Sequence, residues 1–145
     1  MSGYADTSFL VSLYTVDINS FSAQALMQSA SLPLLLTPLS EMELVNTLYL
    51  RLFRRELRAP QIHAAHAAFQ SDIHDGMFQH RPLSMPVFDK AQTLSRKQTP
   101  RLGTRGIDVL HVASALVWGA ETLYTFDRSQ RRLAEAEGLR VRPAP

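Results

Sequence analysis

Four acidic residues stand in contexts that suit chemistry: Asp6 in Tyr-Ala-Asp-Thr-Ser, Glu43 early in a helix-patterned stretch, Asp108 in Gly-Ile-Asp-Val, and Asp127 in Tyr-Thr-Phe-Asp-Arg. Together they offer only oxygen donors, the chemistry preferred by hard divalent cations such as Mg²⁺ or Mn²⁺. Crowding carboxylates without a cation is costly because like charges raise one another's pKa, and a divalent ion reverses that balance. An ion held this way polarises a phosphodiester, lowers the pKa of a bound water and stabilises charge on a leaving oxygen. The reaction class such a quartet points to is phosphodiester hydrolysis.

Residues so far apart meet only if several elements end at one place. Gly3 to Asp6 reads as a short strand entering a helix over Ser8 to Tyr14, which leaves Asp6 at the strand's carboxyl end. Asp17, Asn19 or Ser20 caps a second helix to about Ser29, and Leu32 to Thr37 is an apolar run suited to a buried parallel strand. Thr37-Pro38 opens a long helix to about Leu57, and Ala59-Pro60 restarts one through about Ile73. Asp75-Gly76 and Arg81-Pro82 punctuate a loop, and Pro86 begins a helix that ends before Thr99-Pro100. A helix over Ile107 to Trp118, a strand over Thr122 to Phe126, a helix over Arg128 to Glu137 and a strand over Leu139 to Arg142 complete the map. Strands separated by helices imply an α/β fold with a mainly parallel sheet covered on both faces. Ligands bind beyond the carboxyl ends of such strands, where this map puts Asp6 and Asp127.

A length of 145 residues suits one domain spanning 1–145. The absence of cysteine removes disulfides, thiolate zinc sites and cysteine nucleophiles, and fits a reducing, cytoplasmic address. Met1 to Asp6 lacks the basic start and apolar run of a signal peptide. The longest apolar stretches, Leu32 to Leu39 and Ile107 to Ala120, are interrupted by Pro33 and Pro38 or by Asp108 and His111, so no membrane span is expected. The net charge is only +2, but the basic residues are clustered, which suits a polyanionic partner.

Each acid also has a structural reading. Asp6 and Asp127 suit helix N-caps, Ser40 with Glu43 forms Ser-x-x-Glu, and Asp108 suits a helix N-terminus. Thr37-Pro38 competes as the start of that helix and leaves Glu43 in its second turn. His111 follows Asp108 by three residues on one helix face, where a hydrogen-bonded packing role outweighs catalysis. His63 and His66 lack the partners of a zinc signature, and neither a Gly-x-Ser-x-Gly elbow nor a P-loop is present.

Asp6-Thr7-Ser8 followed by apolar residues, Leu39-Ser40-Glu41-Met42-Glu43-Leu44, Gly106-Ile107-Asp108-Val109 and Thr125-Phe126-Asp127-Arg128 occur in the order and spacing of a known set of motifs. On these residues the chain resembles PIN-domain nucleases, especially the VapC toxins of bacterial and archaeal toxin–antitoxin pairs. The resemblance implies a three-layer α/β/α fold and a Mg²⁺- or Mn²⁺-dependent endoribonuclease. Asp6, Glu43, Asp108 and Asp127 would be its catalytic metal ligands, with Thr7, Ser8 and Thr125 hydrogen-bonding them. It further implies an RNA substrate and a cognate antitoxin. Glu41 competes with Glu43 for the second position. The alternatives within reach are a PIN-type RNA-processing nuclease and a noncatalytic PIN-like module that binds RNA or protein.

Arg96, Lys97, Arg101, Arg105 and Arg128 are the candidate RNA contacts, since several flank the last two acidic motifs. Arg51, Arg54, Arg55 and Arg58 follow i, i+3, i+4, i+7 spacing, which on one helix puts them on a single face, suited equally to guiding an RNA backbone and to plain solvation. Leu48, Leu52, Phe53 and Phe69 read as core, with docking of an antitoxin helix or self-association into a homodimer as competing uses.

Overall fold

In the computed structural model, which describes residues 2–145, strands and helices alternate as β1 (Gly3–Ala5), α1 (Thr7–Tyr14), α2 (Ser20–Ser29), β2 (Leu34–Leu36), α3 (Pro38–Phe53), α4 (Ala59–His74), β3 (Phe78–His80), α5 (Met85–Leu102), α6 (Gly106–Val117), β4 (Thr122–Tyr124), α7 (Arg128–Ala136) and β5 (Arg140–Arg142). The strands form one parallel sheet in the order β3-β2-β1-β4-β5, with Tyr4 opposite Leu35 on one side and Leu123 on the other. From β1 the chain winds outward to β2 and β3, then returns to β4 and winds outward the other way. The direction therefore reverses between β1 and β4, where the crevice of an open parallel sheet lies.

Successive side chains on a strand point to opposite faces. Tyr4, Leu35, Leu123 and Val141 pack with Val87, Leu94, Val112 and Leu133 of α5, α6 and α7. Ala5, Leu34, Leu36 and Tyr124 pack with Phe9, Leu44, Ile62 and Phe69 of α1, α3 and α4. Burial of each large side chain contributes about 1.5–3 kcal/mol, so two apolar layers enclose the sheet and the architecture is α/β/α. Within the second layer Phe69 meets the edge of Tyr14 at 5.4 Å and tilts against Phe78 at 5.8 Å. Among the described residues no helix is long and apolar enough to cross a membrane.

The central strand tolerates no side chain at its start. A Cβ on Gly3 would lie 2.6 Å from Tyr124 Cε2 and 3.0 Å from Leu34 Cδ2. Gly3→Ala is expected to lower stability by about 1–3 kcal/mol through overpacking, measured as a fall in the denaturant midpoint at unchanged slope.

The structure departs from the sequence expectation in four places. Leu48 and Phe69 are buried as expected of core, but Leu52 and Phe53, at the end of α3, are exposed. β3 occupies what reads as loop after Asp75-Gly76; it is a short edge strand that buries only Phe78 and so carries almost no apolar pattern. α3 stops at Phe53, because Arg55 adopts φ +60°, so Arg54, Arg55 and Arg58 do not extend the helix face that carries Arg51. α5 continues through Pro100 to Leu102 and ends on left-handed Gly103; proline removes the donor to the Arg96 carbonyl at an exposed position, where the loss is tolerable.

Candidate active site

The first acid is held by two strand exits. Asp6 follows β1 directly and is buried, and its Oδ1 accepts from the Phe9 backbone N–H at 2.9 Å and from Ser8 Oγ at 2.7 Å. The N-cap reading of Asp6 is therefore correct, and it fixes the carboxylate at the crevice. Thr125, just beyond β4, donates its hydroxyl to Asp6 Oδ2 and accepts the Asp127 N–H at 3.0 Å. Ser8 Oγ accepts the Phe126 N–H at 2.9 Å. Ser8 and Thr125 thus stitch the exit of β1 to the exit of β4. Asp127 in turn caps α7 by accepting the Gln130 N–H at 2.9 Å.

Glu43 lies in the second turn of α3, which Thr37-Pro38 opens; no Ser40–Glu43 capping box forms. Its Oε1 accepts from Thr7 Oγ1 at 2.6 Å and bonds to His111 Nε2. His111, from α6, is buried, and its Nδ1 lies 2.9 Å from the Tyr4 hydroxyl, itself near Ser40 Oγ and Thr37 Oγ1. Burial alone would lower the pKa of His111. Tyr4, the hydrogen bond to Glu43 and the charges of Asp6 and Glu43 outweigh it and raise it to about 10. Despite partial burial, the Glu43 carboxyl is held below the usual range by its bonds to His111 and Thr7. Beyond its hydrogen-bonded packing, His111 is thus placed where Glu43 and Asp6 favour its protonated form, with Tyr4 behind it. Neither stood out in the sequence as functional; the one signal was the three-residue spacing of His111 from Asp108.

Asp108 occupies the first turn of α6 and is half-buried. Burial raises its pKa, and the charges of Asp127 and Glu43 raise it further against His111 and Arg105. Burial also raises Asp6, although Thr125, His111, Phe9 and Ser8 all favour its ionised form. Asp108 therefore feels Asp127 and Glu43, and His111 feels Asp6 and Glu43. An all-oxygen set under mutual repulsion fits a hard divalent cation. Among the described residues, however, no three Asp, Glu or His side chains are already drawn up as a ligand cage.

The remaining candidates are placed as follows. Glu41, two residues and about 200° around α3 from Glu43, bonds His80 Nε2 and Gln70 Nε2, each at 3.0 Å. Arg105 precedes α6 and its charge reaches Asp108, while Arg128 follows Asp127. Lys97 pairs at 3.1 Å with Glu137, at the opposite end of α7 from Asp127, and Arg101 bonds Gln98 of its own helix. Arg96 is exposed on α5. His63 and His66 line a cavity of about 330 Å³ between α3 and α4, with Val45, Leu48 and Tyr49.

Residues 4–136 match the family model of the PIN domain. Solved structures with this fold include VapC20 of Mycobacterium tuberculosis, described as a sarcin-ricin loop cleaving toxin, at TM-score 0.71, 19% identity and coverage of 94% of this chain and 95% of that one. FitAcB from Neisseria gonorrhoeae aligns at TM-score 0.71 and 19% identity, over 97% and 96% of the two chains. VapBC2 from Rickettsia felis, solved with a DNA fragment from its promoter, aligns at TM-score 0.65 and 16% identity over 97% of each. At these identities the likeness is one of fold. Among curated proteins no sequence relative matches.

Proposed function

The chain belongs to the PIN-domain family, and from that premise we propose that it is a Mg²⁺- or Mn²⁺-dependent endoribonuclease, the toxin of a VapBC-type pair. What supports this reading is that Asp6 and Asp127 follow β1 and β4, the strands between which the sheet reverses direction, and that the charges of Asp127 and Glu43 reach Asp108. The four carboxylates would hold the cation, which supplies a polarised phosphate and a more acidic water. The chain's own groups provide the frame. Phe9 N–H, Ser8 and Thr125 orient Asp6, Thr7 and His111 orient Glu43, and the cap on α7 orients Asp127. Imidazolium His111 also offsets part of the negative charge of Asp6 and Glu43. Arg105 and Arg128 flank the acids and are suited to RNA phosphates.

The toxin role and the antitoxin partner rest on the fold shared with VapC20 and the VapBC and FitAB proteins. The test is cleavage of RNA by the purified chain. Activity is expected with Mg²⁺ or Mn²⁺, loss on chelation and recovery on adding either metal back; turnover that persists in chelator rules the mechanism out. RNA binding without turnover would instead favour the noncatalytic module. Expression is expected to arrest growth, and a cognate antitoxin to relieve it; cleavage without arrest favours RNA processing.

A further inference from the structure

A polar cleft of about 390 Å³ lies along the seam between α1 and α3, and of the four acids Asp127 is the one on its lining. Thr7, Ser8 and Asp127 line its near end, and Thr47, Arg51 and Asp17 continue it outward. Glu43, Thr47 and Arg51 are spaced i, i+4, i+8, so they follow one side of α3 for about 12 Å. The volume lies within the usual range for a site that encloses a small group.

Arg51 is held there without being saturated. It donates to Thr15 Oγ1 at 3.2 Å, but its approaches to Asp17 Oδ2 and Glu56 Oε2 are 3.9 and 4.0 Å, too long for hydrogen bonds. The Asp17 carboxylate is already engaged by Asn19 N–H, Ser12 Oγ and Ser20 Oγ. A guanidinium carries five donors, so most of its capacity points to something other than these partners. Its side chain is 24% exposed, and it is the cation among the described residues lining a cleft that otherwise carries Asp17 and Asp127. An RNA strand entering past two acids needs such a group.

We propose that this cleft holds the RNA segment adjoining the cleaved phosphodiester, with Arg51 binding a phosphate of that segment and the Asp17 charge competing with that phosphate for the guanidinium. The inference rests on the ribonuclease reading and adds a substrate subsite to it. Because phosphate contacts position a strand without reading its bases, the subsite governs affinity and register on the RNA.

The experiment compares wild type, Arg51→Ala, Arg51→Lys and Asp17→Asn in RNA cleavage across a salt series, with thermal midpoints alongside. Arg51→Ala is expected to raise KM about tenfold, as for loss of a charge-assisted hydrogen bond, with a smaller effect on kcat. It should also lower the salt slope of binding by about one. Arg51→Lys restores the salt slope but not all the affinity, since a point charge replaces a fork. Asp17→Asn keeps the loop acceptor, removes the competing charge and lowers KM. If Arg51 only ties the α1–α2 connection to α3, Arg51→Ala lowers the thermal midpoint and leaves KM and salt slope at wild-type values, which overturns the subsite while cleavage stands. Wild-type protein that cuts no RNA under any metal overturns the function and the subsite together.

Discussion

Asp108→Asn is expected to reduce RNA cleavage on the order of 10²–10⁴-fold while the thermal midpoint holds or rises. The asymmetry comes from the surroundings of the side chain. Asp108 is half-buried, and burial is what raises its pKa most; the charge of Asp127 adds to that, and Glu43 adds a smaller share, against the relief from His111 and Arg105. In the metal-free chain its charge is therefore a burden on folding, and the isosteric amide removes it. With metal the same charge is what attracts the cation. Single-turnover cleavage and a melting curve on one preparation decide the matter. Wild-type cleavage by Asp108→Asn excludes the carboxylate from the chemistry, and a large drop in midpoint assigns it a structural role instead.

His111→Ala is expected to destabilise the fold by about 3–5 kcal/mol, because it strips the partner from Glu43 and leaves the Tyr4 hydroxyl facing a cavity. In a chain of this size that lowers the thermal midpoint by roughly ten degrees or more. The wild-type pH profile carries the sign. His111 titrates near 6.5 when unfolded and about 10 when folded, so the folded state binds the extra proton between those values. Its contribution is complete below pH 6.5 and is lost as pH climbs toward 10. Glu43, lowered from 4.5, contributes above that value and loses its share as pH falls through the folded-state pKa. Stability from the pair is therefore greatest between about 4.5 and 6.5. His111→Gln retains much of the volume and loses the charge, so its midpoint should vary little between pH 7 and 9.5. A wild-type profile equally flat over that range would show a neutral imidazole in a packing role.

The central strands and the helices around them were legible in the sequence because burial on both faces leaves continuous apolar runs, as at Leu34 to Leu36, and because Thr37-Pro38 and Gly138 mark helix ends. β3 was not legible: an edge strand with one inward side chain makes no pattern to read. Pro100 suggested a helix end because local chemistry says nothing of an exposed turn that can do without one bond. Of the structural readings of the acids, the caps were legible: Asp6 and Asp127 cap α1 and α7, whereas Ser40 and Glu43 form no capping box because Thr37-Pro38 opens that helix. Tyr4 and His111 were hidden because a tyrosine in an apolar strand and a histidine in an apolar helix look like core, and their pairing is a contact across 107 positions. Arg51 was readable as one of four arginines on a helix face suited to an RNA backbone, but the face itself was not, because the helix ends at Phe53 and Arg55 turns left-handed.

The pairing of β1 with β4 has a consequence for the newborn polypeptide. Gly3, Tyr4 and Ala5 cannot find Thr122, Leu123 and Tyr124 until more than a hundred further residues have been made. Thr125, the side chain that secures the second oxygen of Asp6, follows it by 119 positions. The frame around Asp6 is therefore completed late in synthesis, and until then its carboxylate has only the partners that α1 supplies.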